Sequence, residues 1–460
     1  MLDKKTWKDQ TLPRMKIRMG LSPQSIEMNR ESALLKATGL FPEKPLLPLE
    51  DFEAIVNYFV ENAPEHPLPQ APHPEIQVGL PHFKLVLPKF RLENPASTML
   101  QFSEKSKQIY LGDALRKELF ILNPEGELME TLPVNNIPVS LAEVEEGFYL
   151  TSIGHFMPSD DPLGSLVLWQ KGYKSHQPTL TLLDKLPRPT HAQFADLNGD
   201  GKPDFVLCMF GNMVGRCSWF ENLGNDQYTE HVLLPKAGAL RAVIGDFNGD
   251  GFPDIAVLFA QELESLIIFS NDGHGNFTHQ PVFQKPPIYG HTYFEMVDFN
   301  HDGKLDILAS NGDNGEYPSP LKRYHGIRIY MNKGNNEFED AFFYPLDGAF
   351  KAMARDFAQN GKLDIAAISF FPDYKDGPRE SFVYLQNQGG LNFTASTFRE
   401  CISGRWITMD VGDIDGDGKL DILLGSCTMG PDGATPAPEF VTRIWQRGRL
   451  PFVILKNTLK

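Results

Sequence analysis

The chain has 460 residues, too many for one ordinary core and suited to a large repeat domain with a small companion. Hydrophobic content of 41% with 22% charged residues excludes a disordered chain, and 39 Gly and 36 Pro favour many short strands joined by tight turns. A net charge of −16 excludes nucleic-acid binding through a basic face, and the absence of any run of about 18 apolar residues excludes a membrane span.

Met1 to Lys5 is followed by no apolar h-region, so no signal peptide is read in the given start. A cytosolic protein and a start lying downstream of the true one both stay open. Residues 1–62 are predicted helical. One helix is expected over Lys4 to Met19, with Trp7 facing inward and Pro13 kinking or splitting it. Ser22-Pro23 reads as an N-cap with proline at the first helical position. A further helix opens at Pro48 with Glu50 and Asp51 in its first turn. Its Phe52, Ile55, Val56, Phe59 and Val60 form an amphipathic stripe. Residues 63–81 are a linker: Pro64, Pro67, Pro69, Pro72 and Pro74 favour an extended, semi-rigid segment.

From there on, short strands and turns dominate, and an internal repeat decides the fold. The copies are DLNGDGKPD (196–204), DFNGDGFPD (246–254), DFNHDGKLD (298–306), DFAQNGKLD (356–364) and DIDGDGKLD (413–421), starting 50, 52, 58 and 57 residues apart. Each precedes an apolar run with the composition of a buried strand, such as DFVLCMF or DIAVLFA. Asn-x-Gly recurs at Asn222, Asn271, Asn332 and Asn387, with Tyr228, Phe277, Phe338 and Phe393 six residues later, which reads as a hairpin turn. A four-stranded unit of about 50 residues is the size of a propeller blade. Two more blades fit upstream, around QIYLGDA/LFILNPEG and FYLTSIG/LVLWQKG. The expected fold is therefore an all-β seven-bladed β-propeller over 82–460 with a small N-terminal helical region. PFVILKN (451–457) matches a third strand, with Asn457 at the turn position, and HFKLVLP (82–88) is expected to supply the missing outer strand and close the ring.

The repeated loop has the form D-x-[DN]-x-D-G-x-x-D. Positions 1, 3, 5 and 9 offer side-chain oxygens, position 7 its carbonyl, and glycine at position 6 permits the sharp turn. Calcium prefers about six to eight oxygen ligands in a flexible cage. Carboxylates this close repel one another unless a cation intervenes, and the ligand positions offer neither His nor Cys for a softer metal. The expected Ca2+ ligands are Asp196, Asn198, Asp200, Lys202 and Asp204; Asp246, Asn248, Asp250, Phe252 and Asp254; Asp298, Asn300, Asp302, Lys304 and Asp306; and Asp413, Asp415, Asp417, Lys419 and Asp421. The copy at 356–364 has Ala358 and Asn360 where ligands should stand, and is expected to be empty or weak. Strands instead of helices flank the loops, so these are not EF-hands. The alternative is a set of metal-free Asp/Asn/Gly turns. Cys208, Cys217, Cys401 and Cys427 contain no CxxC pair; Cys208 and Cys217 could bridge a hairpin, but buried thiols are the simpler expectation.

These residues resemble the FG-GAP repeats of integrin α-subunit propellers and the VCBS-type repeats of secreted bacterial proteins, over roughly residues 76–460. The resemblance implies calcium between the first and second strands of certain blades, and a role in adhesion, carbohydrate binding or protein binding outside the cytoplasm. LLPLEDFEAIVNYFVENAP resembles the last helix of a c-type cytochrome-like domain, and LDKKTWKDQTLPRM resembles the stretch after its haem motif. The chain departs from that pattern in lacking CxxCH, which rules out covalent haem attachment in this sequence. Met15 or Met19 as a relic axial ligand is weighed against ordinary core or surface methionines.

Five residues before each loop stand His191, Arg241, Tyr293, Lys351 and Thr408, with His291, Arg405 and Trp406 close by. In a propeller these begin the innermost strands, on the face opposite the Asp loops. His191, Arg241, His291, Tyr293, Lys351, Arg405 and Trp406 are thus candidate binders of an anionic or sugar ligand, against ordinary solvated channel residues. Three functions follow. The favoured one is a non-catalytic extracytoplasmic module, expected to be monomeric, for glycan or protein. The second is a polysaccharide lyase with Lys351, His191 or His291 as base and Arg241 or Arg405 as clamp. The third is a redox partner with a truncated haem domain. Weak calcium affinity, as in extracellular modules, places the protein outside the cytoplasm.

Overall fold

The structure, a computed structural model, describes residues 2–21, 42, 44–170, 172, 178–315, 321–430 and 437–459. The helix start at Ser22-Pro23 lies outside them. Seven sheets of antiparallel strands stand side by side in a ring, each with its first strand innermost. Blades 1 to 7 span residues 97–133, 138–186, 189–234, 239–284, 291–345, 349–397 and 406–457. Each apolar run that follows an Asp loop becomes a second strand buried along its whole length, as in Asp204–Met209 and Asp254–Phe259. Such a strand is covered on both faces by neighbouring blades, which is why its sequence is continuous rather than alternating.

One apolar cluster fills each of the seven blade–blade interfaces. Between blades 3 and 4, for example, Val206, Cys208, Cys217 and Trp219 pack on Ala242, Ile255, Val257 and Phe259. Each large side chain so buried contributes about 1.5–3 kcal/mol. Threonines add a second tie. Thr98, Thr190 and Thr292 donate to Pro138, Ala239 and Ala349 carbonyls in the next blade, at 2.6, 3.1 and 3.2 Å.

The ring closes through strand Phe83–Val86, which pairs antiparallel with Phe452–Asn457 as the outer strand of blade 7. Two features go beyond the sequence reading. Gln77–Val78 adds a short parallel fifth strand to blade 6. A helix, Glu439–Gly448, interrupts blade 7, with Val441 and Trp445 packed on Tyr374. The hairpins predicted from Asn-x-Gly are present, and Asn222, Asn271, Asn332 and Asn387 sit opposite Tyr228, Phe277, Phe338 and Phe393.

The N-terminal helix runs Lys4–Thr6, loosens into a π turn over Trp7–Thr11 and resumes at Leu12–Arg18, so the break falls just ahead of Pro13. Asp3 caps it, accepting from the Thr6 amide at 3.0 Å. Trp7 meets Phe59 of the helix Leu49–Asn62 at 4.3 Å between ring centroids. Residues 63–76 then run extended onto the propeller. His73 pairs with Glu380 of blade 6 at 3.3 Å, and Ile76 is buried among residues of blades 5 and 6. Cys208 and Cys217 face each other in the hairpin register as buried free thiols.

Candidate metal loops and the central channel

All five Asp loops share one backbone design between the first and second strands of blades 3 to 7. Two residues in each adopt the left-handed region. Position 6 is always glycine, with φ of 82° at Gly201 and 80° at Gly418. Position 4 is glycine in three loops, but His301 and Gln359 take it with φ of 58° and 49°. These turns fold the first aspartate back over the loop. Asp196 accepts from the amides of Gly199 and Gly201 at 2.8 and 2.9 Å, and Asp246 from those of Gly249 and Gly251 at 2.7 and 2.9 Å. In blade 7, carboxylate oxygens of Asp413, Asp415 and Asp417 lie within 4.8 Å of one another. That separation fits a cation with bonds of about 2.3–2.6 Å to each. The donors are all hard oxygens, so this loop fits calcium. The loops at 196–204, 246–254 and 298–306 repeat its backbone with Asn at position 3.

Lysines supply part of the countercharge. Lys202, Lys304 and Lys419, at position 7, reach Asp200, Asp302 and Asp417 at 2.8, 3.2 and 3.1 Å, and Lys456 pairs with Asp415. The loop at 246–254 carries the exposed Phe252 at that position instead.

Position 9 has a role that the motif alone did not disclose. Asp204, Asp254, Asp306 and Asp421 are buried, and each bridges two backbone amides. One belongs to position 2 of the same loop and the other to the Asn of the Asn-x-Gly turn or, in blade 7, to Asn457 at the same place. For Asp306 these are Phe299 at 2.9 Å and Asn332 at 2.8 Å. For Asp421 they are Ile414 at 3.2 Å and Asn457 at 2.7 Å. The same Asn returns its side-chain amide to the carbonyl of position 8, as Asn332 does to Leu305 at 3.1 Å. The two sequence signals, Asp loop and Asn-x-Gly, are thus halves of one clasp. Burial pushes the Asp204, Asp254 and Asp306 carboxyls above their usual range and Asp421 up to about 6, against the lowering effect of the amides. Each carboxylate oxygen keeps a lone pair free for a metal.

The loop at 356–364 keeps the Asn half of the clasp and lacks the cage, and its position-2 amide, Phe357, donates to the Arg355 carbonyl instead. Asp364 accepts from the Asn387 amide at 2.8 Å and from the Tyr384 hydroxyl at 2.6 Å, while Ala358 offers no oxygen. Its left-handed Gln359 donates to the Gly418 carbonyl of blade 7 at 2.8 Å, and His301 lies 2.9 Å from the Gly361 carbonyl. Side chains at position 4 therefore tie the loops of blades 5, 6 and 7 into a chain.

Further along the inner strands, the structure brings together four of the seven candidate ligand residues. Arg241 Nη1 lies 3.4 Å from His191 Nε2, its guanidinium is 4.6 Å from the Tyr293 ring centre, and Lys351 Nζ is 4.7 Å from the same centre. Two residues nearer the Asp loops, a second layer ties blade to blade: Gln193, Glu295 and Asp410 accept from the amides of Ile244, Ala354 and Phe102 at 3.1, 2.5 and 2.8 Å. Arg355 pairs with Glu295 at 3.1 Å. Burial pushes the Lys351 amine down to about 8, with Asp410 opposing, and pushes His191 well below its usual value. At the end away from the Asp loops, an apolar cluster including Ile137, Ile153, Phe370 and Phe371 joins blades 1, 2, 6 and 7.

The other three candidates lie elsewhere. His291 is buried against Glu264, Nδ1 to Oε1 at 2.5 Å, and stacks on Phe283. Arg405 is buried between Phe370 and Phe371 and donates to the Phe370 carbonyl at 3.0 Å. Trp406 is fully buried, with Nε1 donating to Cys401 at 2.6 Å, so it has no surface for a ligand. For His291 and Trp406 the cause is a register shift after the first inner-strand residue, seen at Pro189/His191, His291/Tyr293 and Trp406/Thr408. It turns Pro189, Ala239, His291, Ala349 and Trp406, all buried, away from the channel.

Comparison with known proteins bears on the repeat. An FG-GAP-like repeat model matches residues 196–257, 246–309 and 356–424, which together include all five Asp loops. A stretch of 83 residues is 31% identical to the T-cell immunomodulatory protein homolog of Plasmodium falciparum; it covers 16% of this chain and only 11% of that protein. Among solved structures, the calcium-binding protein regucalcin of Agrobacterium tumefaciens is 12% identical with a TM-score of 0.39, covering 64% of this chain and 90% of its own. A luciferin-regenerating enzyme is 10% identical with a TM-score of 0.38, covering 68% and 97%. No helix among the described residues is long and apolar enough to cross a membrane. The chain is a seven-bladed β-propeller that carries FG-GAP-like repeats.

Proposed function

We propose that the protein is a calcium-binding, extracytoplasmic propeller that serves as a binding module for a glycan or protein ligand. The observation that carries this reading is the convergence of Asp413, Asp415 and Asp417 within 4.8 Å, on a loop backbone repeated in blades 3, 4 and 5. The buried clasp behind each loop holds its ends in register, so calcium acts as a staple on one rim and not as a reactive centre. Loops of this kind in extracellular modules bind calcium too weakly to fill at cytosolic levels, which supports a place outside the cytoplasm. The ligand site in this reading is the channel layer of His191, Arg241, Tyr293 and Lys351.

Thermal melting with and without a calcium chelator tests the metal. Each site saturated a hundredfold over its dissociation constant stabilises the fold by about 2.7 kcal/mol. A fall of several degrees on chelation, reversed by added calcium, is expected. An unchanged melting temperature would overturn the calcium assignment.

A further inference from the structure

The channel layer carries more positive than negative charge. Arg241, Lys351 and Arg355 face only two carboxylates, Glu295 and Asp410. Glu295 is committed to Arg355 and to the Ala354 amide. Asp410 commits one oxygen to the Phe102 amide. Among the described residues neither Arg241 nor Lys351 has a carboxylate within ion-pair distance, and Arg241 Nε and His191 Nδ1 are buried without a partner. Arg241 and Lys351 are half-buried, and a cation drawn partly out of water without a paired acid is destabilising, so the one excess positive charge around this tyrosine ring calls for a counter-ion.

From this we infer that the channel holds a single oxyanion, a carboxylate, sulfate or phosphate group, between Arg241 and Lys351. The inference deepens the proposed function and rests on its choice of the channel as ligand site. In the layer around the Tyr293 ring, Arg241, Lys351 and the His191 Nδ1 are donors. Burial keeps His191 neutral, and with its Nε2 accepting from Arg241, the ring proton sits on Nδ1, the unpartnered atom. The acceptors lie in the next layer, two residues nearer the Asp loops, where Gln193, Glu295 and Asp410 each hold a backbone amide and one Asp410 oxygen stays open. A neutral sugar needs acceptors as well as donors for its hydroxyls, whereas an oxyanion needs donors alone. The Tyr293 ring positions both cations from its π face without neutralising either.

The test uses the full chain in calcium buffer at constant ionic strength. Sodium phosphate, sodium sulfate and sodium glucuronate are titrated against the melting temperature, with sodium chloride as control. A saturable rise with at least one of the three, absent with chloride, is expected, and the anion giving the largest rise identifies the source. Arg241→Gln and Lys351→Gln should each weaken it at least tenfold while responding to chelator as the parent does. Should a variant fail to melt cooperatively, calorimetry of the parent at pH 7 and pH 9.5 replaces it, and the affinity should drop about tenfold as the Lys351 amine loses its proton. Indifference to all three anions, or full binding by both variants, overturns the inference. Glycan-array binding lost on Arg241→Gln without any oxyanion effect would overturn it too, and would leave the channel as the ligand site. An intact chelator response in either case keeps the calcium reading separate.

Discussion

The Asp-loop rim and the central channel carry opposite excesses of charge, yet lie only five residues apart on the same inner strands, as from His191 to Asp196. Four loops of the rim hold thirteen carboxylates, against three position-7 lysines and Lys456. In the channel, cations outnumber acids. The difference shows that a net charge of −16 describes neither surface. Much of the acidity belongs to the Asp loops, and the positive interior is hidden behind it. The two regions should therefore respond to different solutes, the rim to a divalent cation and the channel to an oxyanion.

Within the rim, the clasp and the cage can be separated. Asp306→Ala leaves the buried amides of Phe299 and Asn332 without partners, which costs about 2–5 kcal/mol. The loss should persist in chelator, because it does not depend on metal. Asp302→Asn, at an exposed position, should match the parent in chelator and fall below it only with calcium present. Denaturant melts under both conditions make the comparison. Equal stability of the two variants in chelator would show that position 9 has no structural share.

The next effect is a gain. Ala358→Asp with Asn360→Asp restores the ligand pattern to a loop that already has the Asn387 half of the clasp through Asp364. Calcium titration by calorimetry should show one site more than the parent, five in place of four. An unchanged stoichiometry would mean that the Gln359 bridge to Gly418 holds this loop in a shape that no ligand set can rescue.

The parts of this molecule that were legible in the sequence are those where one physical constraint fixes one residue type. Glycine at position 6, the Asn-x-Gly turn and the apolar second strand each have one structural explanation, and together they disclosed the blades and the closing strand. Position 9 was legible as an oxygen donor only. Its bond to Asn332 links residues 26 apart in the chain, and spacing cannot show that. Counting back from the loops placed His191, Arg241, Tyr293 and Lys351 correctly on the inner strands. It could not see the register shift that turns His291 and Trp406 away from the channel. The helix Glu439–Gly448 did leave a signal, Pro438 and Glu439 followed by Val441, Ile444 and Trp445 at helical spacing. That signal was overshadowed by the strand pattern around it.

The smallest expected effect concerns an acidic cluster with no cage for a metal. Asp347 is buried between blades 5 and 6, near Glu380 and Asp373, and faces His73 and Gln70 of the extended segment. Burial first, then these two acids, push its carboxyl up to about 7, and the hydrogen bond to Glu380 raises His73 above its ordinary value. Both groups bind protons more tightly in the folded chain, so their contribution to stability is full at low pH and is lost as pH rises through the folded values. For Asp347 the window runs from about pH 4 to about 7. Here the proton plays the part proposed for calcium at the rim. Asp347→Asn, which is neutral at every pH, should flatten this slope and raise the melting temperature by a few degrees at pH 8, with little change at pH 4. The melts belong in chelator, so that protonation of the rim carboxylates cannot release calcium and imitate the effect. A variant that is less stable than the parent at pH 8 would show that the Asp347 carboxylate is ionised and held by a partner, and the contrast with the rim would fail.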